Sequence, residues 1–272
     1  MKLNKITLAL AAFGALVTLS ACGSNAAGKD HQVNDIKKAG VLRVALSPDY
    51  PPFEFQMIKN GKNVIVGSDI DLANSIGKKL GVKVKIESMD FNNILASLSS
   101  GKADIAISGI TKTPLREKSV NFSDVYYPAK NYLVIKKTNL DKYTSFDKLK
   151  HTEIAAQKGT TQESIIKDQF KDVTEISLAQ NTEAINEVKN GQVQGAVIEE
   201  MIAKSFVSAN PDLALAKIKI KTPKDNAGSA VALPKGSNKL TSIINDVIKE
   251  QRKNGQIDKS IAENYKLSQE NK

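Results

Sequence analysis

The chain contains 272 residues, of which 41% are hydrophobic and 25% are charged, and its formal net charge is +10 at pH 7. This length allows one large domain or two modest lobes. The positive charge does not indicate a nucleic-acid-binding protein. The lysines are dispersed, tryptophan is absent, and basic and aromatic residues do not interleave as they do on base-stacking surfaces.

The first residues predict an exported lipoprotein. A basic start is followed by an apolar run that ends at Leu19, which is long enough for a secretion signal and too short to span a membrane. The stretch Ser20-Ala21-Cys22-Gly23 resembles the lipobox of bacterial lipoproteins. This resemblance implies a signal peptide over residues 1–21 and acylation of Cys22, for example with palmitate. Ordinary cleavage near Ala21, which would leave Cys22 as a free thiol, is the alternative.

Residues 22–30 are small and polar and predict a flexible tether. After it, strand and helix patterns alternate. Strands are predicted at residues 41–47, 82–88, 103–109, 132–137, 152–157, 173–177, 195–199 and 229–234, and helices at residues 68–81, 90–101, 161–170, 182–191, 201–211, 238–254 and 257–265. In the helix at 68–81, Ser68 or Asp69 is the expected N-cap. Alternation at this spacing predicts an α/β fold with mostly parallel sheets flanked by helices.

In such sheets, ligands bind beyond the carboxyl ends of strands, next to helix N-termini. Four stretches of this chain occupy such positions, namely residues 47–55, 108–116, 157–162 and 199–200. Candidate binding residues are therefore sought in these four stretches.

Arg116 is one of only three arginines in the chain. Thr113 is a suitable N-cap and Pro114 a suitable first helical residue, so Arg116 falls in the first turn of a predicted helix. A cation in the first turn is unfavourable to the helix dipole. Arg116 is therefore either an ordinary surface residue or a bidentate anion-binding group.

The stretch around Gly159 comes directly after a predicted strand and before a predicted helix. Thr160, Thr161 and Gln162 supply N–H and side-chain donors at this helix N-terminus, which is a ready anion site. The alternative is that Thr160 or Thr161 only caps its own helix.

Glu199 and Glu200 lie at another junction between a strand and a helix. They either favour the first turn of the helix through its dipole or hold a cation such as an ammonium group. Tyr50, Phe53 and Phe91 are aromatic residues in the loops after strands. They are either core residues or walls of a ligand pocket.

Signals of catalysis and of metal binding are missing from the sequence. His31 and His151 are the only histidines, and neither has a second ligand at metal-binding spacing. The chain has no nucleotide-binding glycine loop and no nucleophile elbow. We therefore expect a binding protein that is not an enzyme and that has no cofactor or metal.

Seven stretches, in order and over almost the whole chain after the tether, resemble one known family. They are SPDYPPFEF, VGSDIDLANSIGKKLG, SMDFNNILASLSSGKADIAISGITKT, REKSVNFSDVYY, IAAQKGTTQES, GAVIEE and AVALPKGS. The family is that of the extracellular polar amino-acid-binding proteins of ABC importers, solute-binding protein family 3, which have the type II periplasmic-binding fold.

The resemblance implies two lobes with the ligand trapped between them. The first lobe would be built from residues 31–128 and 224–272, and the second from residues 129–223. Two hinge crossings would join them, near residues 127–131 and 222–227.

The resemblance also implies a set of ligand-binding residues. They are Ser47, Tyr50, Phe91, Ser108, Gly109, Thr111, Arg116, Gln157, Thr160, Thr161, Gln162, Glu199 and Glu200. By position in the family, Arg116 would clamp the ligand α-carboxylate with help from N–H groups of Thr111 and Thr161. The α-ammonium would be received by the Gly109 carbonyl, the Thr111 hydroxyl and Glu200.

In the same comparison, Tyr50 and Phe91 would form the walls of the side-chain pocket. Ser47, Gln157, Gln162 and Glu199 would help to select the side chain. Three features depart from the family pattern. Glutamate replaces the usual aspartate at Glu200, serine replaces a frequent aspartate at Ser47, and Pro114-Leu115 replaces an acidic pair before Arg116. Which amino acid binds is left open.

The function implied is that of a substrate-binding lipoprotein of an amino-acid ABC importer. It would be a monomer, anchored by lipid at the extracellular face of the cytoplasmic membrane on a Gram-positive surface. It would deliver a polar or basic amino acid to a permease coupled to a cytoplasmic ATPase. A sensor or adhesin and a dehydratase of the same fold are the alternatives.

Overall fold

A computed structural model describes residues 32–128, 130–225 and 228–270. The predicted signal peptide, Cys22 and the tether lie outside these residues. Up to residue 128 the elements are α1 (Gln32–Ala39), β1 (Val41–Leu46), β2 (Asp49–Tyr50), β3 (Glu54–Lys59), β4 (Lys62–Val66), α2 (Ser68–Leu80), β5 (Lys83–Ser88), α3 (Ile94–Ser99), β6 (Ile105–Ala106), α4 (Pro114–Glu117) and β7 (Val120–Tyr127).

The middle of the chain holds β8 (Asn131–Lys136), β9 (Glu153–Gln157), α5 (Thr161–Gln169), β10 (Thr174–Leu178), α6 (Asn181–Asn190), β11 (Gly195–Glu199), α7 (Glu200–Ala209) and β12 (Leu213–Leu215). The last part holds β13 (Ser229–Pro234), α8 (Asn238–Lys253) and α9 (Gln256–Glu270). No helix within these described ranges is long and apolar enough to cross a membrane.

Two five-stranded sheets define two lobes. The sheet of the first lobe has the order β5-β1-β6-β13-β7, and that of the second lobe has the order β10-β9-β11-β8-β12. We call the first lobe the elements up to β7 together with β13, α8 and α9, and the second lobe the elements from β8 to β12. The chain thus enters the second lobe after β7 and returns to the first before β13.

The sheets are mixed, which corrects the prediction of mostly parallel sheets. In the first lobe, β1 pairs with β5 and β6 in parallel, but β13 pairs antiparallel with both β6 and β7. The second lobe repeats this arrangement, because β8 pairs antiparallel with β11 and β12. The antiparallel strands are those on either side of the crossings, where the chain leaves one sheet and enters the other.

A third sheet of three antiparallel strands, β2-β3-β4, was not predicted. Its hairpin between β3 and β4 turns at Asn60-Gly61, where both residues have positive φ, 52° and 70°. An Asn-Gly pair between alternating strands is a strong hairpin signal, because such turns need positive φ at both central residues. Helix α1, β7 and β12 were also not predicted.

Most predicted helices and strands are present, with two differences near the cleft between the lobes. Helix α2 has Gly67 as its N-cap, with φ 138°, and not Ser68 or Asp69. A Cβ at Gly67 would lie 2.0 Å from the carbonyl oxygen of Phe53, so only glycine fits there. The strand predicted at 103–109 is reduced to β6, because the residues after Ala106 leave the sheet as a loop.

The C-terminal helix α9 contacts both lobes. It packs against α2 and α8 of the first lobe and against α7 of the second. At the second contact, the Oγ atoms of Ser205 and Ser268 lie 3.3 Å apart, and Gln269 Nε2 donates to Ser205 Oγ at 3.2 Å. The two lobes are therefore joined by non-covalent contacts of α9 as well as by the two chain crossings.

Candidate functional site

A cavity with an empty volume of about 350 Å³ lies between the two lobes. The first lobe contributes Tyr50, Phe91, Gly109, Thr111 and Arg116, and the second contributes Gln157, Thr160, Thr161, Gln162, Asn181 and Glu199. Ten of these lining residues belong to the predicted set, and Asn181 does not. Ser47, Ser108 and Glu200 were predicted and are not part of the lining.

Arg116 reaches into the cavity from the short helix α4. As predicted, Thr113 caps this helix, with the Arg116 N–H donating to Thr113 Oγ1 at 3.3 Å. The guanidinium donates from Nη1 to the Thr111 carbonyl at 2.8 Å and from Nη2 to the Gly159 carbonyl of the opposite lobe at 2.9 Å. Burial lowers the pKa of Arg116 to about 10, so the group stays charged at neutral pH.

The guanidinium of Arg116 also lies over the ring of Phe91, with 5.7 Å between Cζ and the ring centroid. This distance is within the range of a cation–π interaction. A guanidinium has five N–H donors, of which two go to the Thr111 and Gly159 carbonyl groups, so donors are left for a planar anion such as a carboxylate. The anion-binding interpretation of Arg116 therefore fits its surroundings better than that of an ordinary surface residue.

The loop before α5 brings backbone N–H groups to the same end of the cavity. The Thr160 hydroxyl donates to the Gln157 carbonyl at 2.6 Å and makes no side-chain cap on α5. Thr160 is thus the N-cap residue of α5 by position, as one of the two interpretations has it, but its hydroxyl does not bond the helix. The first turn of α5, which begins at Thr161, is a helix N-terminus suited to an anion.

Glu199 supplies the carboxyl group of the opposite wall of the cavity. It is the last residue of β11 and only 1% exposed. The Tyr50 hydroxyl is close enough to its carboxyl group to act against the rise of its pKa, whereas its Oε1 has no hydrogen-bond partner within the described part of the chain. Burial is the main reason why the pKa of Glu199 is raised to about 8, and the charges of Asp69 and Glu200 add to it.

Glu200, the next residue, faces away from the cavity. It accepts from Lys204 Nζ at 2.7 Å and from the Tyr132 hydroxyl at 3.4 Å, and Lys130 Nζ lies 3.7 Å from it. Burial acts to raise its pKa, but the hydrogen bond and charge of Lys204 and the charge of Lys130 outweigh it, so the pKa is lowered. The structure thus places Glu199, and not Glu200, where a ligand ammonium could be received.

Ser47 and Ser108 lie behind the cavity wall, in a hydrogen-bonded layer. The Ser108 hydroxyl donates to Glu54 Oε1 at 2.5 Å and accepts from the Ser47 N–H at 3.0 Å. The Gly109 N–H donates to Asp69 Oδ2 at 3.2 Å. Burial raises the pKa of Asp69 to about 6 and that of Glu54 well above its usual range. These groups fix the 107–111 loop, whose Gly109 and Thr111 reach the cavity.

Gly109 is required by its contact with Tyr50. Its φ is +55°, and a Cβ there would lie 2.4 Å from Tyr50 Cε1. Any side chain at position 109 would displace the tyrosine ring. Because residue 109 is glycine, the ring can lie against the loop backbone with its hydroxyl near Glu199 of the second lobe.

The remaining polar wall is formed by Gln157, Gln162 and Asn181. Gln162 Nε2 donates to Asn131 Oδ1 at 2.7 Å, within the second lobe. Gln157 and Asn181 bond to each other and to Asp49 of the first lobe. Neither Asp49 nor Asn181 was predicted as a site residue. The signal for both was their position, since Asp49 follows β1 and Asn181 begins a helix after a strand.

The chain belongs to the bacterial extracellular solute-binding proteins, family 3, whose family model matches residues 42–267. This confirms the family predicted from the sequence, and the two-lobed α/β fold agrees with it.

Individual relatives extend this finding. The arginine-binding extracellular protein ArtP of Bacillus subtilis (strain 168) is 35% identical over 259 residues, which cover 94% of this chain and 96% of ArtP. The crystal structure of AbpA from Streptococcus pneumoniae bound to L-arginine is 44% identical with a TM-score of 0.83, covering 86% of this chain and 98% of that one. The ancestral amino-acid-binding protein AncCDT-1, a precursor of cyclohexadienyl dehydratase, is 34% identical with a TM-score of 0.77, covering 86% and 99%.

Proposed function

We propose that this protein binds a polar or basic L-amino acid between its lobes and delivers it to the permease of an ABC importer. One observation carries the proposal. A guanidinium from the first lobe, Arg116, and a buried carboxyl group from the second, Glu199, line the same cavity.

A free amino acid matches this pair of groups. Its α-carboxylate can take two parallel hydrogen bonds from the Arg116 fork, and its α-ammonium can donate to Glu199. Buried charges are tolerated when they are paired. The ligand pairs both charges at once, and each lies on a different lobe. Ligand binding therefore stabilises the closed arrangement of the lobes.

The charges around the cavity favour a ligand with a second positive charge, and arginine is our first candidate. Once the ligand carboxylate pairs with Arg116 and its α-ammonium pairs with Glu199, two further acids remain in the layer behind the cavity wall, Asp49 and Asp69. Tyr50 and Phe91 offer ring faces, on which a guanidinium or ammonium group is attracted by the π-electrons. Two relatives support this choice, since ArtP is named an arginine-binding protein and the AbpA structure contains bound L-arginine.

A ligand screen tests the proposal. The mature protein is mixed with each of the twenty amino acids, cystine and glutathione in a thermal-shift assay, and hits are measured by titration calorimetry. We expect arginine or another basic or polar L-amino acid to raise the melting temperature by several degrees, because a ligand that binds only the folded state stabilises it. No shift with any amino acid would refute the proposed function.

We further propose that Cys22 carries the lipid that holds the protein at the extracellular face of the membrane. The lipobox-like sequence around it and the extracellular family support this. Replacing Cys22 with serine should release the protein from cells into the medium, whereas the unmodified chain should sediment with membranes and incorporate labelled palmitate. Membrane retention of the serine variant would contradict the anchor.

A dehydratase is the second candidate function, and Glu199 is the observation that favours it. With a pKa near 8, Glu199 holds a proton at neutral pH inside the cleft, as a general acid does. AncCDT-1 shows that an amino-acid-binding protein of this fold can be the precursor of a dehydratase. Incubation with cyclohexadienyl acids separates the two candidates. We expect no aromatic product, as for a protein that only binds its ligand, whereas formation of the aromatic product would favour the enzyme.

A further inference from the structure

Asp49 bridges the two lobes and is not explained by binding of the α-amino and α-carboxyl groups. It lies in β2 of the first lobe and is 7% exposed. Its Oδ2 accepts from the N–H of Asn181 at 2.6 Å and from Gln157 Nε2 at 3.1 Å, both in the second lobe. Its Oδ1 accepts from the Ser47 hydroxyl at 2.9 Å. Among the described residues, no lysine, arginine or histidine forms an ion pair with it.

Asp49 fixes the orientation of the Gln157 side-chain amide. A carboxylate only accepts hydrogen bonds, so Gln157 must turn its NH₂ group towards Asp49. The two amide hydrogens then go to Asp49 and to the Ala179 carbonyl, the latter at 3.1 Å. The oxygen of Gln157 is thereby directed to Asn181, from whose Nδ2 it accepts at 2.8 Å.

The same chain of bonds fixes Asn181. Its Nδ2 donates to Gln157 Oε1 and lies 3.5 Å from Asp49 Oδ2. Its Oδ1 is left as an acceptor, and the structure shows no hydrogen bond to that atom from any described residue. Both amides line the cavity between the lobes. Their free hydrogen-bonding capacity on this wall is therefore that of acceptors.

We propose that Asp49 is a positioning residue for ligand selection: by orienting Gln157 and Asn181 it makes this wall a set of acceptors, which favours ligand side chains that only donate hydrogen bonds. This rests on the proposed function and names the ligand class of the same site. A guanidinium or ammonium group has donors alone. A urea, amide or carboxylate brings an oxygen against these acceptors and leaves buried polar groups unpaired.

The selection is tied to closure of the lobes. Asp49 belongs to the first lobe, whereas the amides that it orients belong to the second, so the acceptor wall exists only when the lobes meet. The carboxylate lies at the N-terminus of α6, where the helix dipole favours an anion. A ligand whose side chain cannot pair with these acceptors therefore also disfavours the closed arrangement of the lobes.

L-Arginine and L-citrulline give the test, because they differ at the side-chain end by one group, a donor in arginine and an acceptor oxygen in citrulline. Dissociation constants are measured by calorimetry for the full mature chain. We expect arginine to bind about tenfold to a hundredfold more tightly than citrulline.

Two variants separate positioning from charge. Asp49→Asn loses the charge but keeps an oxygen for the Asn181 and Gln157 donors, because its NH₂ can donate to the Ser47 hydroxyl. Asp49→Ala loses both charge and acceptor, so the two amides can rotate. We expect the preference for arginine over citrulline to be at least about fivefold smaller in Asp49→Ala than in Asp49→Asn.

Asp147→Ala is the matched control, because the Asp147 side chain is 82% exposed, and it should leave both affinities unchanged. If both Asp49 variants lost the preference for arginine over citrulline equally, Asp49 would act through its charge and not by orienting the amides. If Asp49→Ala kept the preference, Asp49 would serve only to hold the lobes together. Either result would overturn the role of Asp49 in selection without affecting the proposed function. If the unmutated protein binds no amino acid, the proposed function fails as well. Melting curves without ligand check that each variant is folded.

Discussion

The ionisable groups on the two walls of the cavity differ in their charge and hydrogen bonding without ligand. On the first-lobe wall, Arg116 is bonded to the Thr111 carbonyl of its own lobe and stacked on Phe91, and when the lobes meet it also bonds the Gly159 carbonyl of the second lobe. On the second-lobe wall, Glu199 is almost fully buried, has one oxygen without a hydrogen-bond partner among the described residues, and has its pKa raised to about 8. One wall thus holds a preformed charge, whereas the other holds a carboxyl group that ionises when a cation arrives.

This difference indicates how binding is divided between the lobes. The Arg116 wall can take a carboxylate with little reorganisation, because the charged guanidinium is already held by its own lobe. The Glu199 wall contributes when the ammonium replaces the proton of its carboxyl group. We therefore expect the loss of Arg116 to weaken binding more than the loss of Glu199, and only Glu199 to make binding depend on pH near neutrality.

The largest effect is expected for Arg116. Arg116→Ala should weaken amino-acid binding by about a hundredfold or more, because a buried ligand carboxylate loses its charged partner. Arg116→Lys should recover little, since an ammonium cannot bind a carboxylate bidentately. Calorimetry measures the affinities and a melting curve checks the fold. Arg252→Ala, which removes a contact to the Val125 carbonyl far along the chain, is the control, and near-normal affinity of Arg116→Ala would refute the clamp.

A smaller effect is expected for Glu199. Glu199→Gln keeps the shape of the protonated side chain and should weaken binding by about tenfold to a hundredfold, because the ammonium loses an ionic partner. Glu200→Gln changes the adjacent residue in the same way and should leave the affinity within about threefold, since Glu200 is engaged with Lys204 and Lys130. If the Glu200 variant lost more affinity than the Glu199 variant, the assignment of the two carboxyl groups would be reversed.

The pH dependence of binding is the third expected effect. Glu199 has a pKa near 8 without ligand, and a neighbouring ammonium lowers it, so binding releases a proton. The affinity should therefore rise with pH up to about 8, by at most about tenfold per pH unit, and then level off. Calorimetry at a series of pH values measures the slope. Glu199→Gln should flatten it, and an equal slope in that variant would assign the proton to another group.

The smallest effect concerns the contact between the walls at Gly159. Its φ is +80°, and a Cβ there would lie 3.1 Å from the Cα of Asn92 in the opposite lobe. Gly159→Ala should weaken binding by about three- to tenfold, because it holds the lobes slightly apart. Gly61→Ala has a similar φ of +70°, but apart from its two chain neighbours no described residue has an atom within 4 Å of the new Cβ. It should therefore cost similar folding stability and leave affinity unchanged. Equal affinity of the two variants would count against tight closure at this point.

Much of the fold could be predicted from the sequence, because apolar periodicity and helix caps are local signals. The strand at 229–234 and the cap at Thr113 are examples. The antiparallel pairing of β8 with β11 and β12, and that of β13 with β6 and β7, could not be predicted in this way. It depends on where the chain crosses between the lobes.

The site shows the same limit in Glu199 and Glu200. The two residues have the same side chain and adjacent positions, so composition and spacing do not separate them. The boundary between β11 and α7 falls between them and directs one inward and the other towards Lys204. Asp49 and Asn181 are separated by 132 positions in the chain, and no local pattern predicts their hydrogen bond across the cleft.

The close packing of Gly109 against Tyr50 has an evolutionary consequence. A single base change turns a glycine codon into an alanine codon, and the new methyl group would displace the tyrosine ring that lines the cavity. Such a mutation would reshape the pocket without replacing either charged group. A lineage could thereby change which nutrient it captures in one step, while keeping the machinery that holds the common part of every amino acid.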